Sequence, residues 1–264
     1  MSERGWTNFG WTIFFVLILL GSISLKSIVT SCILEEKEVQ NKIEKIHQTI
    51  IVERAKISNT LFFNSLIASR DMAWQGKRPS ELYRKIKDMC NLTVEFREIY
   101  SGKYMGAFEV SSSKILEEEN YKHRIKVSRK IPARFLLLYK FSSFFNAHNQ
   151  LYKLTEGSLM VAGPATTKSI AQEEISFALN GYEKVLELTT PFEWEMSGKI
   201  LSFHKEVVIV DEIPVTIISA TVKYNIVLID PYFKTIPSKI PFDMLKYRIN
   251  GEEGIVKTVT IETW

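Results

Sequence analysis

Cysteine is nearly missing from this chain of 264 residues: only Cys32 and Cys90 carry thiols. Two thiols cannot form the disulfide framework of a small secreted scaffold, nor a thiolate zinc site. One bridge between them is the only pairing open to the sequence. Histidine is scarce as well. His47, His123, His148 and His204 show no HxxxH-type ligand spacing, so no metal and no cofactor is expected. A large charge excess is also lacking. Against 30 acidic residues stand 34 basic ones, and the net +4 is too small to mark a nucleic-acid binder, so direct nucleic-acid binding is not expected. No serine sits in a nucleophile elbow. The stretch GPATTKS, Gly163–Ser169, resembles a phosphate loop at its Lys-Ser end only. Thr167 and Ala162 occupy the places where such a loop needs glycine, so it reads as a connection into a capped helix. Glu193 and Glu195 flank Trp194 and would share one face of a strand, as acid–base carboxylates do. Two exposed glutamates beside a proline-led turn are the commoner arrangement. The protein therefore reads as non-enzymatic.

One long apolar run is what the chain does have. No charged residue falls between Trp6 and Leu25. About 20 helical residues span roughly 30 Å, the thickness of a bilayer's hydrocarbon core. Trp6 and Trp11 stand toward one end, where indole favours the interface, and Lys26 at the other can extend its ammonium to water. A cleaved signal needs a basic leader and a shorter core, whereas Arg4 is the only basic side chain here and Glu3 adjoins it. Val29–Cys32 loosely fits a lipoprotein cleavage box, yet Lys26 interrupts the apolar lead-in that such a box requires. A retained transmembrane helix over 6–30, in contact with membrane lipid, is the expectation. Lys26, Lys37, Lys42 and Lys45 taken alone favour a cytoplasmic C-terminus. The very short tail at 1–5 is instead typical of single-pass proteins that export the domain behind the helix, and a periplasmic body at a bacterial inner membrane is expected.

Residues 31–90 read as a helical stalk region. Val39, Ile43, Ile46, Ile50 and Ile57 recur at spacings of four, three, four and seven, with Glu and Lys between them. The first four are candidate self-association residues, which makes a homo-oligomer possible. Residues 91–264 read as an α+β globular domain. A hairpin is expected over Leu92–Val110, a single helix from Pro132 to about Thr155 with Gly157 as its stop, and a helix capped by Ser169 and Gln172. After Pro191 the apolar period changes to two. Asp211-Glu212 is a turn between two strands, Pro231, Pro237 and Pro241 mark an irregular loop, and Phe242–Ile249 with Ile255–Thr263 should close a hairpin at Asn250-Gly251. The expected fold is α+β: transmembrane helix, helical stalk, then helices packed on a curved antiparallel sheet.

One basic cluster stands out. Lys122, Arg124, Lys126, Arg129, Lys130 and Arg134 fall in one stretch with no acid among them. Arg124 and Lys126 alternate with Ile125 and Val127, so a strand projects the charges to one side. Such a row either guards a sheet edge or meets an acidic partner, such as lipid head groups or another subunit.

The whole layout resembles the bitopic inner-membrane subunits of bacterial type IV secretion and conjugation machines. The local likeness lies in KYNIVLIDPYFKTIPSKIPFDMLKYRI, Lys223–Ile249: a long strand, a proline-bearing loop, then a last alternating strand. The resemblance implies a cone-shaped periplasmic domain and a scaffold role, with other membrane-complex subunits as partners and no catalysis. An extracytoplasmic ligand-sensing or solute-binding domain working through a partner is the alternative.

Overall fold

A computed structural model describes residues 3–118, 121–147, 149–232 and 244–263, with side chains described from residue 14 onward and not at 118 or 147. Glu119, His148, Pro237 and Pro241 lie outside the described residues, and with them most of the expected proline loop and the start of the strand expected at Phe242. The chain divides into two compact units, Met1–Lys56 with Ile115–Ile125, and Ile57–Lys114 with Lys126–Trp264. Part of the stalk region expected over 31–90 therefore lies in the second unit.

Helix α1, Glu3–Trp74, runs 72 residues. No proline occurs in it to remove a ladder hydrogen bond. In the first unit every described side chain from 14 to 45 is exposed. Beyond Ile57 the helix gains a covered face: Ile57, Leu61, Leu66, Ala68, Met72 and Ala73 are buried. It ends in a Schellman motif, in which Lys77 N–H donates to Met72 O at 2.9 Å and Gly76 N–H to Ala73 O at 3.0 Å. Gly76 has φ +66°, and a Cβ there would lie 2.5 Å from Arg248 O and Gly251 N. Only glycine fits this backbone-to-backbone contact.

In the second unit α2, Pro79–Cys90, begins on Pro79 itself, and Leu82, Ile86 and Cys90 are buried. It lies along the end of α1, where Asn64 Nδ2 donates to Met89 O at 2.9 Å and Lys85 pairs with Asp71 at 3.1 Å. The expected hairpin is present. Strand β1, Val94–Ile99, pairs antiparallel with β2, Ala107–Glu118, and β3, Tyr121–Ile131, lies at the far edge of a three-stranded sheet ordered β1-β2-β3.

The single helix expected from Pro132 is instead two, α3 (Phe135–Ala147) and α4 (Gln150–Ala162). Asn149 adopts φ +47° and opens a new helix. Gly157 lies exposed inside α4, and Gly163 at φ +69° ends it. Helix α5, Lys168–Thr189, is capped by the Thr167 hydroxyl, which accepts from Ile170 N–H, and not by Ser169.

Strands β4 (Glu193–Val210) and β5 (Ile213–Asp230) form an 18-residue hairpin each way, joined by Asp211 and Glu212 with positive φ. The closing hairpin does not form. Strand β6, Leu245–Arg248, pairs with Val227–Asp230, and β7, Ile255–Thr263, pairs with Thr216–Tyr224. Both lie on the same side of β5 and run the same way, so Asn250-Gly251 begins an excursion in one lane and not a reversal. Length is the cause: β5 is long enough to hold two short strands end to end. Helices α4 and α5 pack against this four-stranded sheet. Among the described residues the fold is α+β, with five α-helices and two antiparallel sheets, and the three-stranded sheet comes before α3 instead of after all helices.

Candidate interaction surfaces

The basic cluster divides on folding. Lys122 and Arg124 belong to the first unit, Lys126, Arg129, Lys130 and Arg134 to the second. The alternation on β3 holds over Arg124–Val127, where Arg124 and Lys126 are exposed and Ile125 and Val127 buried, and it lapses at Ser128, Arg129 and Lys130, which are all exposed. Several charges are nonetheless already engaged. Lys122 pairs with Glu117 at 2.8 Å, and both are exposed. Arg129 Nε donates to the Ser58 hydroxyl. Lys130 lies 5.7 Å from the centre of the Tyr104 ring.

Arg134 is drawn in from the surface, its side chain only 15% exposed. Its Nε and a terminal nitrogen donate to the two Asp230 carboxylate oxygens at 2.7 and 2.6 Å. Asp230 is fully buried, and its carboxylate also accepts from Tyr232 N–H at 3.1 Å. The guanidinium lies 5.1 Å from the Tyr232 ring centre and 5.9 Å from that of Phe192. The Asp230 hydrogen bonds hold the guanidinium protonated to still higher pH than usual. A forked ion pair with stacked rings is the geometry arginine favours when desolvated. This joins the start of α3 to the end of β5. Arg134 is therefore a structural residue and is removed from the candidate partner surface. No sequence signal links it to an aspartate so far along the chain.

The stalk residues divide in the same way. Val39 and Ile43 are 54% and 61% exposed, Ile46 and Ile50 are half-buried, and Ile57 is in the core of the second unit. The apolar period is thus one pattern with two fates.

Neither thiol is bridged: Cys32 is exposed and Cys90 buried. Burial pushes the Cys90 thiol up, against a smaller opposing pull from the Asn64 amide, so it is a poor nucleophile. Glu195 is occupied by Lys246 at 3.2 Å, and Trp194 between the two glutamates is buried. An open cleft of about 450 Å³ lies by the end of α1, lined by Arg70, Asp71, Trp74, Gln75, Met244 and Lys246.

An edge feature escaped the sequence pattern. Met196 N–H donates to a Glu183 carboxylate oxygen at 3.0 Å. Gln172 uses both ends of its amide, donating to Gly198 O at 2.8 Å and accepting from Ile200 N–H at 2.9 Å. Helix α5 thereby satisfies the outer edge of β4 from side chains. Gln172, expected in a capping box, is a strand cover instead. Compared with known proteins, the chain matches no family model, no curated protein sequence and no solved structure.

Proposed function

We propose that this protein is a membrane-anchored, non-enzymatic assembly component whose body binds other subunits of an envelope-spanning secretion or DNA-transfer apparatus. The observation that carries the reading is the exposed apolar helix. Phe14, Phe15, Val16, Leu17, Ile18, Leu19 and Leu20 all stand bare in succession, and in lipid such a surface needs no protein cover. Residues 6–30 span a bacterial inner membrane. The body lies on the periplasmic side, with the curvature of its sheet supplying a shaped docking face. The exposed basic side chains of β3, with Lys126 and the ring-stacked Lys130 among them, suit an acidic partner or head group.

Two measurements test this. Membranes washed with alkaline carbonate should retain the full chain, and release of the chain would remove the anchor. Alkaline phosphatase fused after Trp264 should be active and a green fluorescent reporter there dark. The opposite pattern would place the body in the cytoplasm and end the envelope reading.

A further inference from the structure

Strand β4 is the edge of its sheet, with order β4-β5-β6 and β7 on the far side of β5. Its first half is guarded by Gln172 and Glu183 from α5. Its second half is not so guarded by them. There Val207, Val208, Ile209 and Val210 form an unbroken β-branched run, with Ile213 across the turn, and all five are exposed. Ile209 is 75% exposed, although bare apolar edges of this kind are what sheet proteins ordinarily block with charge or proline.

The backbone parity of this half follows from the ladder. Met196, Gly198 and Ile200 present their N–H or C=O groups outward to α5. The register then slips by one residue between Ile200 and Ser202. Past the slip, residues 203, 205, 207 and 209 point their N–H and C=O groups away from β5. Pro214 agrees with this: it stands opposite Ile209, where a residue of β5 donates nothing to β4.

We infer that the distal half of β4 is a self-pairing edge, which adds antiparallel to the same segment of a second copy with Val208 on the two-fold axis. That register puts Val207 opposite Ile209 of the second copy, and these are the residues whose backbone groups face outward. It also brings Lys205, whose ammonium in its own chain reaches Thr166 O at 3.5 Å, level with Asp211 at the tip of the second copy, twice by symmetry. Moving the axis to Ile209 would carry Lys205 past the tip and lose that contact with Asp211. The Lys205–Asp211 complementarity, with the outward backbone groups of Val207 and Ile209 facing each other, selects this register and a second copy as the occupant. Asp211 and Glu212 at the tip oppose insertion of the arm into lipid instead. The inference stands whether or not the body belongs to a secretion apparatus.

The test uses the full chain in its native membrane, with Cys32→Ser to silence the exposed thiol. Single cysteines replace Glu206, Val208 or Val210, and a mild oxidant is added. Val208→Cys should give a disulfide dimer of twice the chain mass. Glu206→Cys and Val210→Cys should give at least tenfold less alone, yet cross-link to each other when the two chains are co-expressed. No dimer at 208, equal yields at all three positions, or a product of another mass would overturn the proposal. Ile209→Pro removes an outward N–H without touching the β4–β5 ladder and should lower the Val208→Cys yield at least tenfold. Lys205→Asp should lower it too, and adding Asp211→Lys should restore it. An unchanged yield in Lys205→Asp, or no recovery in the double variant, would overturn the register.

Discussion

Residues 14–45 and 57–74 of α1 are held by the same backbone hydrogen bonds but supported differently. In the first stretch every side chain is exposed. In the second, Leu61, Ala68 and Ala73 are completely covered. A helix this long needs an environment for its apolar face wherever it runs. In the second stretch that environment is the chain's own core. In the first it is proposed to be lipid and then a neighbouring stalk. The lesson is that apolar periodicity reports a need for cover and does not name what provides it.

The contrast can be broken most forcefully at its covered side. Asp230→Ala leaves the part-buried Arg134 without its counter-charge and should cost about 3 kcal/mol, the low end for breaking a buried pair. The body should then become sensitive to protease while the chain stays in carbonate-washed membranes; release from the membrane would show that anchor and body are not separable. Leu61→Ala removes a fully buried side chain and should destabilise the body by about 3 kcal/mol in urea unfolding. A much smaller loss would mean that this face of α1 is less tightly covered than the structure shows.

Alkaline pH sharpens the same comparison more gently. Burial, and then the nearby Glu98, raise the Tyr83 phenol well above its ordinary 10.0. Burial, and then nearby Tyr139, do the same for Tyr247. A raised pKa means the folded state keeps a proton that the unfolded chain loses, so stability is full below about pH 10 and falls as pH climbs beyond it. The melting temperature should therefore hold steady to about pH 9 and then decline, and Tyr83→Phe with Tyr247→Phe should flatten that decline. The exposed Tyr100, pushed up to about 12 chiefly by its hydrogen bond to Glu98, should remain as a residual slope. The smallest effect belongs to the bare helix. Ile43→Ala should change the body's unfolding free energy by less than about 0.5 kcal/mol, while lowering any self-association seen by cross-linking in membranes.

Much of this architecture was legible because it rests on local physics. The uncharged run, the proline-free stretch to Trp74, the alternation on β3 and the Asp211-Glu212 turn each follow from residues close in sequence. What was not legible depends on partners far away. Asn250-Gly251 carries a strong hairpin signal, and both residues do adopt positive φ. Only the length of β5 shows that the chain resumes its course. Among the described residues the break between α3 and α4 carries a left-handed Asn149, while Gly157 nearby, the usual breaker, stays helical. Arg134 reads as one more surface cation until Asp230 is placed against it. Gln172 reads as a cap because its edge strand is not yet in view.

The close approach of Gln75 to Gly251 has a consequence for biosynthesis. A Cβ at Gly251 would lie 2.4 Å from Gln75 O, so the two backbones seat directly on each other. The ribosome makes the first of these long before the second. On the proposed reading the leading helix is already in the bilayer by then, α2 has followed along its end, and the turn at Gln75-Gly76 meets its backbone seat only when the final lane of the sheet has emerged. That interval is when a nascent chain of this kind is most exposed to holding factors and to proteolysis, and a side chain at Gly76 or Gly251 would keep the seat from closing at its end.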